Sequence, residues 1–323
     1  MKVRFAMLFS SVLLSANALA WQPTKTVEVL IGHGPGSGNE IVFRALAAEV
    51  EKNTGAKFAI INKVGAGGAI ATRDLATRKA DGHSIGMMTT IGIPVVDKMS
   101  IPDPTTRGYT VDDFTYLMLP ALNQFTIIAN NKDTINTPKD LVNALNKEPT
   151  SFIAGGGARL VYEVLKSNTK FNDVVHLNDN GPVHAINEII GGHSRIAVVP
   201  SLVAANFHNQ GMIKIIATTG PNRIPQLPKI PTVGEAMPGF VVATGWGIIA
   251  PKGLSKEMQD WYTREFERAL QSESVKAVYR TNIIELPDAK MRSAEGYRAH
   301  VDQLESKYAK IVENYVKEVS QKK

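Results

Sequence analysis

The chain has 323 residues and not one cysteine. That absence excludes a disulfide scaffold, a thiolate metal centre and a cysteine nucleophile, and it leaves the core to hydrophobic packing alone. It also excludes a lipoprotein, since no cysteine is there to be acylated after a cleavage site. Long apolar runs are missing as well. The stretch Phe5 to Leu14 is too short to cross about 30 Å of hydrocarbon, and no later segment is a better candidate. One-sided charge is scarce. Formal net charge is +6, and setting aside Lys2 and Arg4 leaves 34 basic against 30 acidic side chains. So small a surplus weakly favours an anionic ligand, and no nucleic-acid-binding motif argues for RNA or DNA.

What is present begins with an export signature. Lys2 and Arg4 form a basic start, Phe5 to Leu14 an apolar stretch, and Ala18-Leu19-Ala20 a small-x-small cleavage site before Trp21. Residues 1–20 therefore read as a signal peptide, with the periplasm as destination. The rest, at 44% hydrophobic and 20% charged, is ordinary globular composition with room for two domains.

Two glycine-rich runs stand out. Gly32-His33-Gly34-Pro35-Gly36-Ser37-Gly38-Asn39-Glu40 follows the apolar strand Thr26 to Ile31, and Gly65-Ala66-Gly67-Gly68 follows the strand Phe58 to Ile61. Each precedes an amphipathic stretch of helical period, Ile41 to Lys52 (with Asn39 as candidate N-cap) and Ile70 to Lys79. A strand–glycine loop–helix joint bares backbone N–H groups at the positive end of a helix, which suits an anion. A third strand, Ser84 to Met88, ends in Thr89-Thr90. This βαβαβ order predicts a parallel sheet whose ligands lie beyond the carboxyl ends of its strands, where both loops and the threonines fall.

The pattern then restarts. Strands are predicted at Phe125 to Asn130, Phe152 to Ala154, Val174 to Leu177, Ile196 to Val199 and Met212 to Thr218, with helices between them. A third small-residue loop, Gly155-Gly156-Gly157-Ala158-Arg159, follows the second of these. Pro221 to Pro238 reads as a surface connection, Val241 to Ala250 as a strand crossing back. The helices Lys256 to Leu270 and Ser293 to Val319 are expected to pack on the first unit. The division is 21–122 plus 241–323 as domain 1 and 123–240 as domain 2. Two crossings make a hinge over a cleft.

Five pieces of this sequence, in order and at matching spacing, resemble the Bug (TctC-type) receptors of tripartite tricarboxylate transporters. Trp21 to Glu40 matches the family's opening W-P-x-K…P-G-G-x-x-D pattern. Asn62 to Gly68 matches N-x-x-G-A-G-G, and Ala80 to Ser84 matches P-D-G-Y-T. Leu227 to Glu235 matches L-P-x-V-P-T-x-x-E, and Gly247 to Ser255 matches G-x-x-A-P-x-G-x-P. The resemblance covers about residues 23–318. It implies an α/β type II periplasmic-binding-protein fold, two α/β domains around a hinged ligand cleft. It also implies a small organic carboxylate held by first-domain loops through backbone N–H groups and water, membrane transporter subunits as partners, and no cofactor. A monomer is expected.

The candidate ligand contacts are Gly36, Ser37, Gly38 and Asn39 from the first loop and Gly67 and Gly68 from the second. Each has the alternative of a plain strand–helix turn. Thr89 and Thr90 stand where relatives often carry Ser-Ser, as hydroxyl donors or turn caps. His33 replaces a family Phe that packs near the ligand. Gly156 belongs to the third loop, and Arg159 could pair with a second ligand carboxylate or lie on the surface. Where relatives often show Tyr-Lys-Gly this chain has Leu177-Asn178-Asp179, and Val198-Val199 replaces Phe-Asp. In amino-acid-binding relatives that Asp is the expected partner of a ligand ammonium. Its loss, with Asp179 as the one substitute at hand, points to an organic acid without an amine, with a dicarboxylate as the example to expect.

An enzyme is the rival class. Gly34-x-Gly36 is followed by Asn39 rather than a third glycine, and no phosphate loop or Gly-x-Ser-x-Gly elbow occurs. His176, His184, His193 and His208 lack metal-ligand spacing, so no metal and no catalytic residue is assigned. A signalling receptor docking a sensor would share the same closing cleft, and sequence does not separate it from a transport receptor.

Overall fold

The computed structural model describes residues 21–147, 149–170, 176–177 and 181–321. The export segment and Asp179 lie outside the described residues. Strands β1 (Val27–Ile31), β2 (Phe58–Asn62) and β3 (Ser84–Thr89) pair in parallel in the order β2-β1-β3, as the alternation of apolar strand and helix predicts. The helix Gly38–Thr54 joins the first two and buries Val42, Phe43, Leu46 and Val50, a 3.6-period stripe. It stops at Gly55, whose left-handed backbone (φ 78°) returns its N–H to the Glu51 carbonyl. The second joint is shorter, with its helix at Ala69–Ala76.

β4 is longer than the sequence suggests. It runs from Phe114 to Asn130 rather than from Phe125. Pro120 within it reads as a strand breaker, because proline brings no N–H to a ladder. The strand absorbs it through register shifts between Tyr116 and Met118 and between Met118 and Ala121. The amino half of β4 pairs with β9 (Ala243–Pro251), and β9 pairs antiparallel with β3. Its carboxyl half lies between β7 (Ile196–Pro200) and β8 (Ile213–Thr218), and β5 (Phe152–Ile153) and β6 (His176–Leu177) continue beyond β7 in parallel. Two sheets, β2-β1-β3-β9-β4 and β8-β4-β7-β5-β6, thus share one strand.

Each sheet has its own core. Val29, Phe43, Leu46, Tyr262 and Phe266 meet on the first, and Phe152, Leu160, Ile196 and Ile216 on the second. The helix Lys256–Leu270 packs on the first sheet as expected. The last helix does not keep to that side. Ala294–Gln321 has 28 residues, about 42 Å of helix. Its Tyr297 and Val301 join Leu30 and Ile249 of the first sheet, whereas Leu304 and Tyr308 join the second sheet's core. A heptad-scale apolar face reveals that a helix is buried, but not against how many partners. A further helix, Glu273–Thr281, is capped by Ser272, whose side chain accepts from Val275 N–H.

Candidate functional site

The two glycine loops meet. A Cβ built on Gly32 would lie 2.6 Å from Gly68 Cα, so the backbones touch where any side chain would force them apart. The second loop turns through Gly65, Ala66, Gly67 and Gly68 with positive φ at all four. A small cavity opens where the loops converge on the end of β3. It has room for roughly one water molecule, about 10 Å³, and His33, Gly67, Gly68, Thr89 and Asp97 are among its lining residues.

The first loop is held by its own acid. Glu40 is buried, and its carboxylate accepts from Gly36 N–H (3.2 Å), Arg44 Nε (2.7 Å) and Asn62 Nδ2 (3.1 Å). Gly36 N–H is therefore spent inside the protein, not offered to a ligand. Ser37, not Asn39, is the N-cap, and the helix starts at Gly38. Helix geometry leaves the N–H groups of Gly38, Asn39 and Glu40 without intrahelical acceptors. Ser37 Oγ is buried and has no hydrogen-bond partner among the described residues.

Asn39 points inward. Its Nδ2 donates to the Met87 carbonyl and to His33 Nδ1, both at 3.2 Å. A carbonyl only accepts, so the amide nitrogen must face it, and His33 Nδ1 must accept in turn. That assigns the imidazole proton to Nε2. Burial lowers the His33 pKa, so the neutral, Nε2–H-donating ring is favoured. Thr89 reaches the cavity, but Thr90 is fully buried: its Oγ1 accepts from Gly245 N–H (3.0 Å), and its own N–H donates to the Gly245 carbonyl (2.9 Å). Thr90 thus ties the loop to β9.

Residues following the second sheet's β7 approach the first loop. A Cβ on Gly38 would sit 2.4 Å from the Trp246 ring on β9 and 2.8 Å from Leu202, in the first turn of the helix Ser201–Asn209. A bulky residue at Gly38 would strike this contact between the halves as well as the loop. In the third loop, a Cβ on Gly157 would lie 3.2 Å from Ile91, just past Thr90, while Gly156 faces open space. Arg159 is not brought to the loops. Its guanidinium lies 4.6 Å from the Tyr315 ring centroid on the last helix, with Nε 3.5 Å from Glu163. At the end of β7, Val198 and Val199 are buried hydrocarbon, and Ser201 Oγ donates to Asn123 Oδ1 (2.9 Å).

Sequence reasoning missed Asp97. It closes the apolar run Ile91 to Val96, which winds as a wide helical turn with Val96 N–H on the Ile91 carbonyl. An acid at the end of six residues without charge was the available signal. Its side chain is 1% exposed and accepts from Tyr109 O–H at 2.6 Å.

The family model of the tripartite tricarboxylate transporter family receptor, TctC, matches residues 42–314. The chain belongs to that family. Among relatives of TctC type, BugT of Bordetella pertussis is 22% identical over 278 residues, 82% of this chain and 84% of BugT. A UPF0065 protein of Cupriavidus necator is 24% identical over 257 residues, 77% of this chain and 75% of its own. The solved periplasmic binding protein BugD superposes with a TM-score of 0.78 at 24% identity, covering 91% of this chain and 98% of BugD. MatC of Rhodopseudomonas palustris, solved with bound malate, gives 0.77 at 20% identity over 90% of this chain and all of MatC. An R. palustris protein solved with adipate gives 0.78 at 21% identity over 91% and 98%. The mixed α/β architecture is that of the Bug/TctC periplasmic binding proteins, as the motifs imply, and the family is one of solute receptors.

Proposed function

We propose that this TctC-family chain is an exported, periplasmic receptor that binds a small organic carboxylate and delivers it to the membrane subunits of a tripartite transporter. Residues 21–122 plus 241–323 and residues 123–240 act as two lobes closing on the ligand. The observation that carries the reading is the Gly32–Gly68 contact, which joins the two glycine loops beside the cavity at the end of β3. Charge-assisted bonds from N–H groups to a carboxylate are stronger than neutral ones, and a carboxylate offers about four acceptor sites to fill. Gly38, Asn39 and Gly67 supply N–H groups, Ser37 and Thr89 hydroxyls, and His33 its Nε2–H, while Gly68, whose N–H donates to the Gly65 carbonyl (3.0 Å), contributes close approach of the backbone. Gly156 approaches from the second lobe. Malate in MatC and adipate in its R. palustris neighbour make a dicarboxylate the reading to try first. The loss of a carboxylate at Val198-Val199 favours an acid without an amine. The protein acts as a monomer, without cofactor or metal, and leaves its ligand chemically unchanged.

Ligand that binds only the folded state raises the melting temperature by mass action. A thermal-shift screen of mono-, di- and tricarboxylates should find at least one that raises it by several degrees, recovered unaltered after incubation. A screen in which no carboxylate moves the transition, or a hit converted to product, contradicts the proposal.

A further inference from the structure

The floor of the loop cavity is an acid that the receptor reading does not use. Asp97 Oδ2 accepts from Tyr109 O–H at 2.6 Å, but Oδ1 is buried and has no hydrogen-bond partner among the described residues. The nearby Thr72 hydroxyl donates to the Gly68 carbonyl (3.2 Å), with Asp97 within its reach as an alternative acceptor. An ionised carboxylate with one oxygen bare and dry is costly, whereas a protonated one turns that oxygen into a donor. The cavity that Asp97 lines is the same one lined by Gly67, Gly68, Thr89 and His33.

We propose that Asp97 is a proton-carrying contact of the anion site, so that carboxylate binding over Gly67 and Gly68 takes up one proton onto Asp97. The Asp97 O–H then donates into the cavity, toward the ligand through the single water for which there is room. This rests on the carboxylate reading above and deepens it. An ionised Asp97 beside a ligand carboxylate would be two like charges in a buried site with room for only one water, which favours one of them holding a proton.

The groups around Asp97 agree with this assignment. Burial raises its pKa to about 6, while the Tyr109 and Thr72 hydroxyls and the Arg107 charge pull it back. Arg107 is itself occupied, donating to the carbonyls of Tyr109 and Ile101. Tyr109 is driven far up by burial and by Asp97, so it stays a neutral donor. On the last helix, Glu305 pairs with Lys98 rather than facing Asp97. The turns Gly92–Val96 and Ala66–Gly68 carry no titratable side chain. His33 shares the cavity and is the one rival proton site.

The sign follows from linkage. Ligand prefers protonated Asp97, so affinity is greatest below about pH 6 and falls by up to tenfold per pH unit above it. Calorimetric titration with malate and adipate between about pH 6.5 and 8.5, where ordinary carboxyls stay ionised, reads this directly. Repeating it in buffers of different ionisation enthalpy counts the protons. Wild type should take up close to one proton per ligand. Asp97→Asn should bind with a flat pH profile and no uptake, and His33→Gln should keep the slope. Binding by wild type with no proton uptake overturns this inference alone, without need of a variant that folds. So does a slope that survives Asp97→Asn or disappears in His33→Gln. Absence of any carboxylate binding at every pH overturns the receptor reading and this inference together.

Discussion

Individual side chains divide into those that build the cradle and those left to use it. Glu40 consumes Gly36 N–H, Asn39 consumes His33 Nδ1, and Thr90 consumes Gly245 N–H. A motif shows which residue types gather, but not which of their donors are already spoken for; that depends on partners such as Asn62, Met87 and Gly245, which lie 22, 48 and 155 positions away. Sequence left Arg159 open between ligand contact and surface residue for the same reason, since its ring partner Tyr315 is distant in sequence and close in space. Arg159→Ala should therefore leave carboxylate affinity within about twofold of wild type and cost only about 0.5–1 kcal/mol, the range for a part-exposed cation–π contact. A tenfold loss of affinity by titration would return Arg159 to the site. Asp97 gives a second expectation. Its folded-state pKa, raised to about 6, exceeds the roughly 3.9 of an unfolded aspartate, so its contribution to stability is full below about pH 4 and is lost as pH rises through 6. Urea unfolding of wild type and Asp97→Asn at about pH 5 and pH 8 should show the variant gaining on wild type by roughly 1.4 kcal/mol at the higher pH. His33 titrates in the opposite sense but is common to both proteins. A gap that stays constant with pH would refute the raised pKa.

Secondary-structure elements were legible wherever a period and a stop signal coincided. The first helix ends at Gly55 and the helix Lys256–Leu270 starts after Ser255, whose side chain accepts from Met258 N–H, because those residues satisfy helix ends locally. β4 was legible only in its second half. Its bulges around Pro120 depend on the partner strand β9, which follows more than a hundred residues later. The loops carry a test that separates shape from conformation. Gly36 has φ +79° and open space around it, so Gly36→Ala suffers strain alone, about 1–2 kcal/mol. Gly32→Ala meets Gly68 backbone at 2.6 Å, cannot be relieved by a rotamer change and should cost more than about 2 kcal/mol. Denaturant melts of the two variants should rank them in that order, with carboxylate binding lost first in Gly32→Ala. The reverse order would mean the loop contact is not tight.

At the scale of the molecule, the sequence supports two α/β units facing one another, and the shared strand β4 and returning strand β9 join them. What it concealed is that the last helix belongs to both cores, with Tyr297 in one and Tyr308 in the other. Tyr308 O–H donates to the Val241 carbonyl (2.9 Å), beside the start of the returning strand. The lobe closure proposed above would therefore have to bend or slide this helix rather than swing free of it. On the proposed function, the joined glycine loops grip an organic acid. Calorimetric titration of the purified protein with malate, adipate, glutamate and aspartate at one pH tests it most directly. Saturable one-to-one binding of a dicarboxylate without an amine is expected, and none of the two amino acids. Tight binding of glutamate or aspartate, with no heat from any di- or tricarboxylate, would contradict it.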